Sequence, residues 1–428
     1  SLRGSMMFEK YDAYKDSGLE SFPEIPKNWQ LKKLKFLLDE VNIRSETGDE
    51  TLLSLSKYKG VIPKDSLDER AGSASTLVGY KKVFKHNLVI NKMQAVNGLL
   101  AVSELEGITS PDYSVYSAKD NSVNIHYIAF LLNQPEYLAE MKKRVTGVME
   151  GFIRLYTDDL YDIKAILPSI KEQNCIVDFL QKKLVEIDQA IAIKEQQIAL
   201  LNERKQIVIQ KAVTQGLEPN VPMKNSGVEW IGQIPEHWEC KPSRYAFRAV
   251  KRFKRDGTEI KFSVTQKWGV IPTDEMQESA TQAVSFDGFQ ICLEDDLVLN
   301  KYKAHLGVFW RAPSRGLITG NYTVFEPLKG INSKYFELLY HTPVYIDIFR
   351  TIVYGVIEGM MPLYNNDFYD MLSIVPPLEE QLAIVQYVEE QQKEFSKIER
   401  VFLGQIEKLK EYKTTLINDA VTGKIKVA

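Results

Sequence analysis

Two stretches of the chain place apolar residues at alternating steps of three and four over about forty residues, a spacing typical of coiled-coil helices. The first stretch runs from Ser169 to Ala212 and contains neither glycine nor proline. Its seam residues are Leu180, Leu184, Ile187, Ile191, Ile198, Leu201, Val208 and Ala212, with Lys194 and Lys205 at the intervening seam positions. At its start, Ser169 and Glu172 predict a capping box in which Glu172 returns to the free backbone N–H of Ser169.

The second stretch runs from about Pro377 to Thr422. Its seam residues are Val388, Phe395, Phe402, Ile406, Leu409, Leu416 and Ala420, interrupted by Gln392, Glu399 and Lys413. Gly404 is a weak point inside it. Because the two helices have matching periods, we expect them to pair with each other as a rod of roughly 60 Å at 1.5 Å per residue. The pattern taken alone favours an ordinary dimerisation coiled coil.

The chain also contains an internal repeat. Residues 17–29 return as residues 226–238, and the same shift carries Asn91-Lys92 onto Asn300-Lys301. A repeat of this length indicates a duplicated domain rather than a solenoid. Strands are predicted at 87–90 and 296–299, and helices near 124–144 and 331–350, each interrupted by a proline turn. The predicted segments are an N-terminal extension (1–13), a first α/β domain (14–168), a central helix (169–219), a second α/β domain (220–376) and a C-terminal helix (377–428).

Composition narrows the class of protein. The length of 428 residues suits two domains, and we find no run of eighteen uncharged apolar residues, which argues against a membrane span. Three cysteines without close spacing indicate a reducing, cytoplasmic location. The opening SLRGSMM is expected to be an expression remnant. The net charge of −3 does not by itself suggest a nucleic-acid partner, although local basic clusters could still attract phosphate.

Motifs for catalysis are not evident. The only Pro-Pro pair stands at a helix start, no glycine-rich phosphate loop occurs, and no nucleophile elbow is present. The five histidines do not show metal-ligand spacing on any single element. The segment Glu259-Ile260-Lys261 is interpreted as a solvated strand. We therefore predict no catalytic residue, no metal ligand and no cofactor in this chain.

Positions that match between the copies are mostly glycine, proline, tryptophan and aliphatic, whereas the differences are mostly polar or basic. One scaffold with two polar surfaces suits the reading of two unlike DNA half-sites, with lysines on phosphates and amides on adenine. The candidates in the first copy are Lys57, Tyr58, Lys59, Lys81, Lys82, Asn91, Lys92 and Gln94. Those in the second are Lys251, Arg252, Lys254, Lys267, Trp268, Asn300, Lys301, Tyr302, Lys303, Arg311 and Arg315. For any one of them a solvated surface charge is the simpler interpretation, except for the matched Lys92 and Lys301.

With these features the chain resembles the specificity subunits of type I restriction–modification systems. The resemblance rests on the Ser-Gly…Ile-Pro-x-x-Trp start of each copy, on Ile374-Val375-Pro376-Pro377-Leu378-Glu379-Glu380-Gln381, and on the Ala-Val-Thr end of each long helix. It extends over essentially the whole chain. It implies a mixed α/β fold, with two tandem-duplicated target recognition domains separated by two long antiparallel coiled-coil helices.

The resemblance also implies partners. Such subunits bind double-stranded DNA with a bipartite target, and their helices set the spacer and dock two methyltransferase subunits. Endonuclease–translocase subunits join for cleavage. S-adenosylmethionine, ATP and magnesium would then serve those partners and not this chain. Two alternatives remain open at this stage: an interaction scaffold that does not bind DNA, and a self-sufficient DNA-modifying enzyme.

Overall fold

The chain folds into two compact units that each contain one sequence copy. The computed structural model describes residues 8–57, 59–66, 76–145, 153–253, 257, 259–276, 288–353 and 362–427. The first unit comprises residues 1–194 and 404–428, and the second comprises residues 195–403. Both boundaries lie inside the long helices, so each unit includes part of both helices as well as one α/β domain.

The described part of the first copy consists of short strands, three short helices and one long helix. Its elements are β1 (Tyr14–Leu19), β2 (Phe22–Pro26), β3 (Gln30–Lys33), β4 (Leu38–Glu40), β5 (Leu53–Ser56), β6 (Gly60–Pro63), β7 (Lys81–Val83), β8 (Leu88–Asn91), β9 (Leu100–Val102), β10 (Gly107–Thr109), β11 (Tyr113–Ala118), α1 (Ile125–Leu132), α2 (Pro135–Lys142), α3 (Thr157–Tyr161), β12 (Lys164–Leu167) and α4 (Ile170–Gln215).

The second copy repeats this order element by element. Its elements are β13 (Met223–Asn225), β14 (Gln233–Pro235), β15 (Glu239–Pro242), β16 (Phe247–Val250), β17 (Ile260–Thr265), β18 (Gly269–Pro272), β19 (Gln290–Cys292), β20 (Leu297–Asn300), β21 (Phe309–Arg311), β22 (Gly316–Ile318), β23 (Tyr322–Pro327), α5 (Ser333–Tyr340), α6 (Pro343–Ile352), α7 (Asn365–Asp370), β24 (Leu372–Val375) and α8 (Leu378–Val421). The predicted strands and the proline breaks between paired helices are confirmed, with Pro135 and Pro343 in the first turn of α2 and α6.

A four-stranded antiparallel sheet forms the centre of each α/β domain. Its strand order is β4-β11-β8-β9 in the first unit and β16-β23-β20-β21 in the second. The registers are equivalent, since Asn91 lies opposite Tyr113 and Asn300 lies opposite Tyr322. The strands β8 and β20 are apolar and almost wholly buried, as expected for central strands packed on both faces.

Glycine is required where β10 and β22 meet neighbouring strands. A Cβ at Gly107 would stand 2.3 Å from the carbonyl oxygen of Thr51, and one at Gly316 would stand 2.1 Å from the Phe262 ring. Gly316 lies in a parallel pairing of β22 with β17, and in the first unit the corresponding parallel contact is the Leu52–Ile108 bridge. The repeat keeps both glycines because any side chain there would separate the strands.

The buried positions of the two long helices follow the predicted steps of three and four residues. Every seam position named above is buried or partly buried in α4 and α8. Within the first unit Trp29 binds Glu172 at the start of α4 and lies 3.2 Å from a Cβ placed at Gly423, just after α8. Further along, Asp188 of α4 accepts from Lys413 Nζ of α8 at 2.6 and 2.8 Å, so the two segments run antiparallel. In the second unit Ile209 and Val213 of α4 share a buried cluster with Ile384 and Val388 of α8. In the described part of the chain no helix combines the length and the apolar character needed to cross a membrane.

The start of α4 differs from the prediction in one respect. Ser169 Oγ accepts from the Glu172 N–H at 3.3 Å, as expected for a capping serine. The Glu172 carboxylate, however, accepts from the Tyr11 hydroxyl at 2.7 Å and the Trp29 indole at 3.1 Å. The predicted return of Glu172 to the Ser169 backbone is therefore wrong, because two donors from outside the helix bind this carboxylate instead.

Residues 8–13, which belong to the predicted N-terminal extension, pack within the first unit. Glu9 forms an antiparallel bridge with Lys426, whose N–H donates to the Glu9 carbonyl at 2.7 Å. The Phe8 ring meets the Phe179 ring edge-on with centroids 5.6 Å apart. The N-terminal segment and the tail after α8 therefore complete this unit together.

Candidate nucleic-acid interface

The tryptophan and the Glu-Gln pair that the two copies share are part of the scaffold at the start of each long helix. Trp29 and Trp238 are fully buried, and their indole N–H groups donate to Glu172 at 3.1 Å and to Glu380 at 2.9 Å. The glutamine that follows each glutamate is also fully buried and binds three backbone groups. The Trp and Glu-Gln motifs therefore attach the first turn of each long helix to its α/β domain.

A buried tyrosine in each domain binds the end of a long helix. Tyr127 donates to the Ile166 carbonyl at 3.1 Å and to the Val421 carbonyl, at the end of α8, at 3.0 Å. In the second unit Tyr335 donates to the Val213 carbonyl, near the end of α4, at 2.8 Å. Burial raises the pKa of both phenols well above the usual value, so they remain hydroxyl donors. The Ala-Val-Thr motifs thus mark the helix ends that dock on the domains.

The hairpin tips carry exposed candidates in both units. Lys57 and Lys59 are exposed at the tip of the β5–β6 hairpin. At the equivalent β17–β18 tip, Trp268 is 64% exposed and Lys267 Nζ lies 4.4 Å from the centroid of its ring. A cation and an aromatic face held together in solvent can contact a phosphate and an unstacked base or a methyl group.

A second loop follows β8 in the first unit and β20 in the second. Gln94 is exposed in the first, and Tyr302 and Lys303 are exposed in the second. Lys301 Nζ lies 5.1 Å from the Tyr302 ring centroid. These side chains lie on or beside a short helical turn that ends at a left-handed glycine in both units.

The structure brings these two loops together within each unit. A Cβ at Gly60, beside the first tip, would stand 3.6 Å from the Cβ of Ala101 on β9. In the second unit, a Cβ at Gly269 would stand 3.2 Å from the Trp310 ring on β21. Since β9 and β21 follow the second loop directly, each hairpin packs beside the strand that continues that loop.

Several candidates are occupied by contacts within the protein. Asn91 is only 8% exposed, and its side-chain oxygen accepts from the N–H groups of Met93 and Gln94 at 3.0 and 3.3 Å. Asn300 caps the equivalent turn by accepting from the Tyr302 N–H at 3.2 Å. Asn91 is therefore buried away from a base edge, whereas the pairing of Asn300 with adenine stays a prediction, since an amide oxygen that caps its own loop keeps a second lone pair.

Lys81 and Lys92 lie close enough for the charge of one to act on the other. Lys81 is 3% exposed and its Nζ lies 3.2 Å from Glu40 Oε1. Burial lowers the pKa of the partly exposed Lys92, and the Lys81 charge lowers it further. The Lys81 amine is buried and paired with a carboxylate, so it is not exposed for contact with a phosphate. Lys82 lies 3.1 Å from Glu50 and remains partly exposed.

The arginines of the second domain are also paired. Arg252 lies 2.5 Å from the buried Asp296 and 3.4 Å from Glu326. Arg311 binds Asp295, and Arg315 lies 2.9 Å from Glu259. Lys251 is exposed beside Arg252. The candidates Tyr58 and Lys254 lie outside the described residues.

Arg154, which no sequence motif marks, is a neighbour of the Lys92 loop. Arg154 lies 3.3 Å from Asp112 Oδ1, and both charges act on the Lys92 amine. The Leu155 N–H donates to the Lys92 carbonyl at 3.0 Å, and the Leu363 N–H donates to the Lys301 carbonyl at 2.9 Å. The two backbone bonds are equivalent, and each joins the loop after the central strand to a segment about sixty residues later in the chain. No spacing in the sequence indicates these contacts.

Comparison with known proteins extends the fold assignment. No family model matches the chain. Its fold is similar to that of a chain in a type I restriction–modification system, from a structure concerned with complex assembly and conformational transition of that system. The two chains are 13% identical, with a TM-score of 0.66 over 94% of this chain and 99% of that one. The HsdS subunit from Thermoanaerobacter tengcongensis is also 13% identical, with a TM-score of 0.54 over 94% of this chain and 98% of that subunit. At such identity the likeness establishes the fold, and the predicted fold class is confirmed.

Proposed function

We propose that this chain is the specificity subunit of a type I restriction–modification system, in which each α/β domain reads one half of a bipartite DNA target. The observation that carries the proposal is likeness in fold to an HsdS subunit over nearly the full length of both chains. The duplicated scaffold supports it, since two equivalent loop pairs display different exposed side chains.

The loops offer different contacts in the two halves. The first unit displays Lys57, Lys59 and Gln94, which suit phosphate contact and an amide contact to a base edge. The second displays Trp268 with Lys267, and Tyr302 with Lys301, which combine a cation with an exposed aromatic face. Unlike side chains on equivalent loops are what two different half-sites require.

The long helices offer an apolar surface for protein partners. Val185, Ile193, Leu200 and Ile207 of α4 are each between 48% and 56% exposed. They recur at steps of seven or eight residues, off the seam that packs against α8. Because exposed apolar residues in a regular row mark interaction surfaces, we propose this row as part of the docking site for methyltransferase subunits.

The chemistry in this proposal belongs to the partner subunits. Adenine N6 methylation would use S-adenosylmethionine, and cleavage would use ATP and magnesium in the endonuclease–translocase subunits. This chain would direct both reactions to their site by binding the target DNA sequence. Purified alone, it should show no methylation or cleavage of DNA when these cofactors are supplied.

The test is to co-express the chain with its methyltransferase partner and to map modified adenines by sequencing. We expect a split motif with two short defined parts and a spacer of constant length. Replacing residues 30–150 with the same segment of another specificity subunit should change one part of the motif and leave the other unchanged. A motif in one continuous block, or a swap that alters both parts, would contradict the assignment of one half-site to each domain.

Direct binding separates this function from the alternatives. The complex with the methyltransferase should bind duplex DNA with an affinity that falls steeply with salt, because neutralised phosphates release counterions. Lys57→Ala with Lys59→Ala should reduce the slope of log K against log salt by up to about 2, at about 0.9 for each phosphate that is no longer neutralised. Glu24→Ala, an exposed change on β2, is the control. Absence of duplex DNA binding would favour the scaffold, and turnover by the pure chain would favour the enzyme.

A further inference from the structure

Two histidines and a glutamate from three separate elements meet on the surface of the first α/β domain. His86 lies in the turn between β7 and β8, Glu104 in the turn between β9 and β10, and His126 in the first turn of α1. One ligand atom from each lies within 4.8 Å of the other two. Glu104 Oε1 is 3.5 Å from His126 Nε2 and 3.8 Å from His86 Nδ1.

The distances are close to those of a metal-binding triad. Zinc binds imidazole nitrogen and carboxylate oxygen at about 2.0–2.2 Å in tetrahedral geometry, which places neighbouring ligand atoms about 3.4 Å apart. The two distances to Glu104 therefore need to shorten by only a few tenths of an ångström. The distance between the two histidines has to shorten by up to about 1.4 Å on the same geometry, which side-chain rotation of the exposed His86 can supply.

The backbone around the triad is held in place by hydrogen bonds. The His86 N–H donates to the Ser103 carbonyl at 2.7 Å, and the Ser103 N–H donates to the Asn87 carbonyl at 2.8 Å. The two turns that carry His86 and Glu104 are thus joined directly. His126 is fixed by the side chain of Asn124, which caps α1 and accepts from the His126 N–H at 2.9 Å. A site built on fixed elements loses little conformational freedom when an ion binds.

The two oxygens of Glu104 face different partners. Oε2 lies 3.9 Å from Lys85 Nζ, whereas Oε1 faces both histidines. The carboxylate is thus oriented to offer one oxygen to an ion. The second copy provides a natural contrast, because Asp295, Pro313 and Lys334 occupy the equivalent positions and Asp295 binds Arg311.

We propose that His86, Glu104 and His126 bind a divalent transition-metal ion of the zinc class, with water completing the coordination shell. Imidazole ligands favour such ions over magnesium and calcium, which prefer oxygen. Bound there, the ion would connect the β7–β8 turn, the β9–β10 turn and α1. It would stabilise the first α/β domain, and the second domain would be unaffected.

The experiment titrates zinc into the full chain after removal of metals by a chelator. We expect one equivalent of zinc to bind the unchanged protein and to raise the thermal midpoint of unfolding. Cobalt should occupy the same site and give the visible absorption of a tetrahedral N/O complex. Magnesium should produce none of these effects.

Three single variants test the ligand assignment. His126→Lys places at this helix position the residue that the second copy carries there, so the fold should tolerate it. His86→Asn suits the left-handed backbone at this position, where φ is 64°, because asparagine adopts that conformation readily. Glu104→Gln keeps the shape and removes the charge. Each should weaken zinc binding by roughly tenfold or more and abolish the zinc-dependent rise in thermal midpoint.

His237→Asn is the matched control, because His237 also contacts a glutamate, with Nε2 at 2.6 Å from Glu380 Oε1, but lies in the second unit. It should leave zinc binding unchanged. The proposal is overturned if the unchanged protein binds no zinc, or if all three variants bind zinc as tightly as it does. These outcomes are independent of DNA recognition, so they do not bear on the proposed function.

Discussion

Replacing Gln381 with leucine should destabilise the second unit strongly, although the two side chains are similar in size. Gln381 is fully buried in the first turn of α8. Its oxygen accepts from the Asn332 N–H at 2.8 Å, and its nitrogen donates to the carbonyls of Gly330 and Pro376 at 3.1 and 2.8 Å. One amide therefore joins α8, the start of α5 and the end of β24.

The magnitude follows from these three bonds. Each intramolecular hydrogen bond contributes about 1 kcal/mol net, and a buried backbone group left without a partner costs about 1–3 kcal/mol. Leucine fills the same space, so no large cavity term is added. The free energy of unfolding of the second unit should fall by about 3 kcal/mol. With a urea dependence of about 2 kcal/mol per molar, the midpoint should fall by about 1.5 M.

Urea unfolding followed by tryptophan fluorescence suits this measurement. Four of the five tryptophans (230, 238, 268 and 310) belong to the second unit, so the signal reports chiefly on it. Gln173→Leu makes the same change in the first unit, where the amide also binds three backbone groups. It should alter the circular dichroism transition more than the fluorescence transition.

Gln386→Leu is the control on the same helix. Gln386 is exposed, and its side-chain nitrogen donates to the Glu390 carboxylate at 3.0 Å, one turn further along α8. Its replacement should change the free energy of unfolding by less than about 0.5 kcal/mol. If Gln381→Leu shifted the midpoint no more than this control, the inference that the buried amide stabilises the helix start would be refuted.

Three further predictions concern single sites. Tyr335→Phe should lower the free energy of unfolding by about 1–2 kcal/mol in urea titrations, because the Val213 carbonyl loses its buried donor; no change would contradict the docking role of this hydroxyl. Gly404→Ala should raise it by about 0.5–1 kcal/mol, because no described atom outside the helix backbone and chain neighbours lies within 4 Å of the added Cβ; destabilisation would show a close contact. Cys292, whose thiol pKa is raised by burial to about 11, should resist thiol reagents in the native state at neutral pH and react faster as the pH approaches that value; rapid labelling at neutral pH would contradict its burial.

The long helices show how far sequence periodicity reaches. The seam predicted from the spacing of Leu180, Ile187 and Ile191 is the buried side of α4, and the helix ends at Gln215, beyond the last seam residue and four residues before the end of the predicted segment 169–219. Such a pattern is reliable because helix geometry places residues three and four apart on one face whatever the rest of the fold does.

The polar candidates show where sequence reasoning stops. The sequence predicts Lys81 on the surface, but this lysine is buried against Glu40, which lies 41 residues earlier in the chain. The sequence also predicts a base contact for Asn91, but its side-chain oxygen caps a turn two residues later. Whether a charged or amide side chain is exposed depends on partners that only the fold brings near. The sequence alone therefore cannot tell which basic residues contact a ligand at the surface and which form ion pairs inside the protein.

The sequence by itself determined the duplication and the two long helices, because these follow from local periodicity and from a repeat that is visible in one dimension. Only the tertiary structure decided which polar residues reach solvent, and it alone brought His86, Glu104 and His126 together from three separate elements of the chain. The physical reason is that a site is a set of distances, and distances between residues far apart in sequence are set by packing of whole elements rather than by any local pattern.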